Sequence, residues 1–296
     1  MARQGPTGQT RQAEACRPSE TEEIEIQLLL EAIYQRYGYD FRSYARASID
    51  RRTRQFLSSS GCASLSEMIP KVLHDETFFS RLAQYFSISV TEMFRDPFVY
   101  QAVREKVVPL LRTWPFFKVW VAGCATGEEV YSLAILLKEE GVYDRATVYA
   151  TDFNDSTLDR AREGIYEMGK LQEATRNYQQ AGGKASFSEY YHARYDAGVM
   201  DHSLKERITF ANHNLTVDTS FGEMHLVFCR NVLIYFNRDL QNRALGLFTD
   251  SLVHGGFLCL GTAEDLRLAD VSDRYEVVDG KARIYKKSEC GTRSAE

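Results

Sequence analysis

Apolar residues first become regular at Ile26, Leu29, Leu30, Ile33 and Tyr37, the spacing of one helix face. A capping-box spelling, Ser19-Glu20-Thr21-Glu22, precedes them, and Gly38 marks a stop. A second helical pattern is predicted from about Phe41 to Leu57, with Phe41, Tyr44, Ala45, Ile49 and Phe56 in one arc. Ser64-Leu65-Ser66-Glu67 is another capping box, opening a short helix through Met68, Ile69, Val72 and Leu73. A fourth stretch carries Phe78, Phe79, Leu82, Ala83 and Phe86. Together these predict a small all-helical domain over residues 19–87, behind a polar, unpatterned leader at 1–18.

A linker and one more helix (about Phe98 to Arg112) occupy residues 88–115, and then the period changes. The apolar run Phe117 to Ala122 ends in Gly123-Cys124-Ala125-Thr126-Gly127, and a helical run follows from Glu128 to Glu140. A strand from Ala146 to Thr151 ends at Asp152, with a helix from about Ser156. His225 to Cys229, a helix from about Asp239 to Val253, and Gly256 to Leu260 continue the alternation, which predicts a parallel α/β sheet. At the end, Tyr275 to Val278 and Ala282 to Lys286 flank Asp279-Gly280, a type I′ hairpin signal. A doubly wound parallel sheet closed by an antiparallel hairpin is the plan of class I methyltransferases, here over residues 116–287, with a polar tail at 288–296. Residues 170–211 fit neither pattern. Gln179 to Gly183 reads as loop, and Tyr190 to Tyr195 and Arg207 to Phe210 read as strands of a small inserted antiparallel subdomain at about 185–211.

Composition narrows the class without changing that picture. In 296 residues, 44% apolar and 26% charged, there is enough to bury a sizeable core. A net charge of -5 argues against a nucleic-acid binder. No apolar run approaches the roughly 18 residues of a membrane span. Six cysteines without a C-x-x-C pair argue against a zinc ribbon or disulfide scaffold. A cytoplasmic protein without a metal is the expectation.

The glycine turn after the first strand lets a backbone approach a ligand closely, although a plain strand-to-helix turn would be spelled the same way. It lacks a complete dinucleotide fingerprint. Glu128-Glu129 at the helix start suit the helix dipole, and suit a ligand with cationic groups better than a polyphosphate. Asp152, ending the second strand, can accept hydrogen bonds from ribose hydroxyls or cap the Asn154-Asp155-Ser156 turn. Taken together these residues point to S-adenosylmethionine (SAM).

Four segments then occur in order: Thr91 to Asp96 (TEMFRD), Trp120 to Ser132, Ala161 to Tyr166 (AREGIY), and Phe228 to Phe236 (FCRNVLIYF). Over about residues 20–287 the chain resembles the CheR-type protein-glutamate O-methyltransferases, which methylate bacterial chemoreceptors. The resemblance implies SAM as cofactor, S-adenosylhomocysteine as product, and a chemoreceptor coiled coil as partner of a monomeric enzyme. It implies that Thr91 and Arg95 close over the cofactor, with Ser89 where family members often carry Asn. Glu129 would meet the methionine moiety, with Glu128 its competitor, and Asp152 the ribose. Asn214 and Leu215 would lie near the adenine, Arg230 and Asn231 would line the pocket, and Tyr235 would stand beside the reacting methyl. Arg95 and Tyr235 are the expected positioning groups of the reaction. Cys229 reads as a small buried strand residue, not a nucleophile.

Arg42, Arg46, Arg51 and Arg54 fall away from the apolar arc of their helix. They read either as a solvated basic face or, given the resemblance, as the surface that docks on glutamate-rich receptor helices. The hairpin around Asp196 to Val199 is short and lacks the Gly-rich loop of members that tether a receptor's C-terminal peptide, which argues against tethering. A small-molecule methyltransferase and a non-catalytic SAM-sensing module remain the alternatives.

Overall fold

The computed structural model describes residues 20–86 and 91–288. The chain forms two compact units, one of residues 20–42 and 46–86, the other of residues 43–45 and 91–288. The expected leader and Ser89 lie outside the described residues, as does all of the tail but Ser288.

The first unit is all-helical: α1 (Glu20–Tyr37), α2 (Arg46–Ser60), α3 (Met68–His74) and α4 (Glu76–Phe86). Ile26, Leu29, Leu30 and Ile33 of α1 are buried and Tyr37 is half-buried, and α1 ends where Gly38 adopts φ +76° and its N–H meets the Tyr34 carbonyl at 2.9 Å. The second helix begins later than the pattern predicts. Ser43–Ala45 leaves this unit, and Tyr44 bridges Phe236 in antiparallel fashion, with Ala45 N–H donating to Tyr235 O and Asn237 N–H to Ser43 O. Those bonds hold the segment extended, so Phe41, Tyr44 and Ala45 cannot share the helix with Ile49. The box before α3 is displaced by one residue: Glu67 accepts from Ala63 N–H at 2.8 Å, while Ser64 Oγ accepts from Glu67 N–H.

The second unit opens with α5 (Pro97–Ala102), which runs through a π-helical turn (Val103–Val107) into α6 (Val108–Leu111). Then come β1 (Phe117–Ala122), α7 (Glu128–Glu139), β2 (Ala146–Asp152), α8 (Asp155–Glu163), β3 (Ile165–Glu167), α9 (Met168–Gln180), β4 (Tyr191–Arg194) and β5 (Ala197–Met200). β6 (Ile208–Asn212), β7 (Met224–Cys229), α10 (Arg238–Ser251), β8 (Leu252–Leu260), β9 (Tyr275–Asp279) and β10 (Ile284–Lys287) complete it. The main sheet has the order β6-β2-β1-β7-β8-β10-β9, parallel through β8, with β10 antiparallel to both neighbours. It is the class I methyltransferase sheet.

Its strands are apolar on both faces because both are covered. Val119 and Val121 of β1 join one core with α7, while Trp120 and Ala122 join the other with α10. Cys229 and Cys259 are fully buried between these layers. Burial holds the Cys229 thiol well above its ordinary range, which suits packing and not nucleophilic attack.

Four further details differ from the sequence reading. Asp279-Gly280 is not a two-residue turn: β9 and β10 are joined by residues 280–283, Arg283 takes the left-handed conformation, and Asp279 Oδ1 accepts from Ala282 N–H at 2.8 Å. The stretch from Met168 to Gln180 is a helix, with Leu171, Ala174 and Tyr178 buried. Arg207 to Phe210 belongs to the main sheet, since β6 pairs in parallel with β2 from Ile208↔Val148 to Asn212↔Asp152. The separate antiparallel sheet is β3-β5-β4, so it draws its first strand from Ile165–Glu167, before the expected insertion. Its hairpin turns on Tyr195-Asp196 alone, with Tyr195 at φ +55°.

Candidate functional site

The carboxyl ends of parallel strands are where α/β sheets bind ligands. β1 ends there in Gly123 (φ +72°), whose N–H donates to Thr151 O at 2.8 Å. A Cβ on Gly123 would lie 2.6 Å from Val232 Cγ2, and one on Gly127 (φ +92°) 3.0 Å from Ala161 Cβ, so both glycines are demanded by close approach as well as by conformation.

Asp152 closes β2 with only 8% of its surface exposed. Its Oδ2 accepts from Ala125 N–H at 3.1 Å and its Oδ1 from Asn154 N–H at 3.0 Å. Burial pushes its pKa up to about 6 against the pull of those N–H groups. The Phe153 N–H bears on the carboxylate as well, and the lone pair that remains can accept from a hydroxyl. The turn is thus held by Asp152, while Asn154 caps α8 itself, accepting from Ser156 N–H.

The two glutamates of α7 divide their work. Glu128 is buried, accepts from Thr126 Oγ1–H at 2.6 Å, and lines a cavity of about 310 Å³ shared with Thr91, Arg95, Tyr166 and Lys170. Glu129 faces Arg230, whose Nη1 donates to Glu129 Oε1 at 2.7 Å and to Arg95 O at 3.1 Å. Arg230 Nη2 donates to Asp96 Oδ2 at 2.7 Å. With 1% of its side chain exposed, Arg230 ties the start of α7 to the segment that carries Thr91 and Arg95. Burial holds the Glu129 carboxyl above its ordinary range, although the Arg230 guanidinium opposes that shift.

That segment is strained and firmly held. Phe94 (φ +53°) and Asp96 (φ +55°) flank Arg95, both in a region unfavourable to residues with a Cβ. Ser132 Oγ accepts from Phe94 N–H at 2.9 Å, and Asn177 Nδ2 donates to Met93 O at 3.2 Å.

Asn231 is also left-handed (φ +59°), just past the end of β7, and leads through Val232 to the 3₁₀ turn Leu233–Tyr235. Tyr235 is half-buried. Asn214 Oδ1 accepts from both Thr216 N–H and Oγ1–H, and Leu215 is buried in the α10-side core.

The structure therefore brings Thr91 and Arg95 to one cavity with Glu128, and joins Glu129 and Asp96, both partly exposed, to the buried Arg230 in one ion cluster. Asp96, Ser132, Asn177 and Glu264 escaped the sequence reading. Asp96 and Ser132 lay inside recognised motifs without being singled out; Asn177 and Glu264 lay outside them and meet these loops through tertiary hydrogen bonds.

Arg42, Arg46 and Arg54 are each bound within their own helical unit. Arg42 pairs with Glu31 at 2.8 Å and Asp40 at 2.9 Å, Arg46 with Asp50 at 2.9 Å, and Arg54 with Glu22 at 2.6 Å. Arg51 is exposed and forms no ion pair among the described residues. The neighbouring Arg52 is buried, donating to Tyr85 O and Phe86 O.

A buried strand-end carboxylate, a close glycine turn and a half-paired Glu129 fit a nucleoside with a cationic amino-acid portion, as SAM is. The chain matches the CheR methyltransferase SAM-binding domain over residues 89–284 and the CheR all-alpha domain over 24–87. It is 55% identical over 266 residues to a Pseudomonas putida protein named methyltransferase Cher3, covering 90% of this chain and 97% of that one. Chemotaxis protein methyltransferase 1 of Vibrio cholerae is 30% identical over 225 residues, 73% of this chain and 79% of that one. A solved magnesium protoporphyrin IX methyltransferase from Synechocystis, with S-adenosylhomocysteine bound, superposes with a TM-score of 0.34 at 17% identity, over 75% of this chain and 100% of that one. The protein belongs to the CheR methyltransferase family, and its cofactor is S-adenosylmethionine.

Proposed function

We propose that the protein methylates glutamate side chains on the cytoplasmic helical coiled coil of a chemoreceptor, forming glutamyl methyl esters in chemotaxis-type adaptation. The match of both CheR domain models across the chain carries this reading. The names of the relatives, chemotaxis protein methyltransferases, support the pathway. No described helix is long and apolar enough to cross a membrane, in keeping with an enzyme that meets its receptor from the cytoplasm.

Bound SAM supplies an electrophilic sulfonium methyl, which a carboxylate oxygen takes as the S–C electron pair returns to sulfur. A glutamate carboxylate is already ionised near neutral pH, with an ordinary pKa of about 4.3, so no general base is needed. His213, next to Asn214, turns its ring against Trp120 and Phe221 and its Nε2 against Thr219 O, away from proton-transfer work. Asp152 would hold the ribose and Glu129 the amino-acid portion, with Ser89, Thr91, Asn214, Leu215 and Asn231 completing the pocket. Arg230 would act behind them by orienting Glu129. Arg95 and Tyr235 would position the reacting groups, since alignment is worth up to roughly 7–11 kcal/mol of the barrier. Arg42, Arg46, Arg51 and Arg54 would steer the acidic receptor helices.

The decisive assay is transfer of labelled methyl from SAM to membranes of the source cell, followed by alkali treatment. Label that enters a receptor-sized band and is released by alkali as methanol supports the reading. Label that resists alkali, or goes to a small molecule, overturns it.

A further inference from the structure

Glu264 stands four residues beyond β8, yet 4% of its surface is exposed and its carboxylate is surrounded by backbone. Oε1 accepts from Val232 N–H at 2.9 Å and Leu233 N–H at 2.7 Å. Oε2 accepts from Asn231 N–H at 3.1 Å and Gly261 N–H at 2.5 Å. Four donors on two oxygens are the full complement of a carboxylate, and a proton on either oxygen would have to displace one of them. Such charge-assisted bonds are about twice as strong as neutral ones.

Three of the donors belong to consecutive residues of the loop after β7, and the fourth ends β8. Glu264 therefore clasps the carboxyl ends of two adjacent parallel strands. The clasp is close: a Cβ on Gly261 would lie 2.7 Å from Asn231 N and 2.7 Å from Glu264 Oε2. It also restrains Asn231 at φ +59°, a conformation that needs outside support in a residue with a Cβ. The 3₁₀ turn bearing Tyr235 starts at the last of these N–H groups.

We propose that Glu264 is a positioning residue that preorganises the Asn231–Tyr235 loop for the cofactor, acting through the loop backbone and touching no reacting atom. The inference rests on the reading of Asn231 as a cofactor contact, and its readout is cofactor affinity, which does not depend on which acceptor is methylated. A glutamine at 264 keeps the shape but presents an amide N–H₂ to two backbone donors. Glu264→Gln should weaken SAM binding about tenfold, at the lower end of the loss for a charged hydrogen-bond partner. With Asn231→Ala already present, the same change should cost less than about twofold, because both act through one loop.

Calorimetric titration with SAM, far below each variant's unfolding temperature, decides the matter. Lowered thermal stability with unchanged affinity, or fully additive losses in the double variant, would reduce Glu264 to a structural anchor and overturn the proposal. If Asn231→Ala alone leaves affinity unchanged, the reading of Asn231 fails and the proposal with it. If Asn231→Ala weakens binding and Glu264→Gln does not, only the proposal fails. Gly261→Ala attacks the same clasp from the other strand and should reproduce the loss. Hydrogen exchange on the unaltered chain needs no variant. The Val232 and Leu233 amides should be protected before S-adenosylhomocysteine is added, and protection that appears only on binding would refute preorganisation.

Discussion

The two units of this protein use arginine in opposite ways. In the helical unit, Arg42 and Arg46 are half-exposed, and their acidic partners lie nearby on α1, the α1–α2 turn or α2 itself. Pairs of that kind contribute little to stability and are screened by salt, so their partners can be exchanged for those of another molecule. In the sheet unit, Arg230 is enclosed, and three groups converge on it: Glu129, Asp96 and the Arg95 carbonyl. A buried cation cannot trade partners without leaving charges unpaired in a medium of low dielectric. Exposed arginines thus suit recognition, whereas Arg230 suits holding a strained segment in one geometry.

Breaking the buried cluster should have the largest effect. Arg230→Ala leaves Glu129 and Asp96 uncompensated and should lower unfolding stability by roughly 3–5 kcal/mol in urea denaturation. Arg230→Lys should recover little, because an ammonium cannot span both carboxylates as the guanidinium fork does. A loss below about 1 kcal/mol would erase the contrast between the units.

Asp152 comes next. Asp152→Ala should weaken SAM binding by roughly 1.5–3 kcal/mol in titration calorimetry. Its pKa is raised to about 6, so its share of the stability of the cofactor-free fold is fully present below the ordinary carboxylate pKa and lost as pH rises through about 6. Affinity runs the other way, because the ionised carboxylate is the better acceptor for ribose hydroxyls. SAM affinity should climb through the same window while thermal stability of the free protein declines. A flat affinity profile would remove Asp152 from the ribose.

Arg95→Ala should cut single-turnover rate at saturating SAM by more than it cuts SAM affinity, since alignment is the role proposed for it. The unaltered enzyme's rate under those conditions should be nearly flat from about pH 6 to 8. A steep rise near pH 7 would reveal a general base.

The smallest effects belong to the exposed arginines. Arg51→Glu should slow methylation of a receptor fragment at low salt at least as much as Arg42→Glu with Arg46→Glu, because Arg51 need not abandon an internal partner. SAM affinity should not change in either variant, and added salt should shrink the difference. Insensitivity to all three reversals would assign these residues to helix packing alone. A receptor fragment without its C-terminal tail should be methylated at nearly the full rate, given the two-residue turn at Tyr195-Asp196; a large drop would make the small sheet a tether.

Local rules were enough wherever one element buries one face. The 3–4 spacing in α1 and α4, the unbroken apolar runs of β1, β7 and β8, and the glycines after β1 encode their conformations within a few residues, because periodicity and backbone sterics act over that range. The class of sheet and the cofactor followed from the order of those elements and the residues at their ends. What the chain does at long range could not be read the same way. Tyr44 sits at helical spacing from neighbours yet pairs with Phe236, because backbone hydrogen bonds from a distant loop outweigh a weak helix propensity. Asp279-Gly280 has turn spelling but forms a longer connection, once Asp279 is drawn to Ala282 N–H on one side and Lys106 on the other. Arg54 of α2 is paired from outside its own segment, by Glu22, which arrives from α1. Arg230 and Glu264 show the limit most sharply. One is a cation after a strand and the other a carboxylate in a loop until folding surrounds each with groups scattered from Asp96 to Gly261, and burial then makes those bonds strong enough to shape the site.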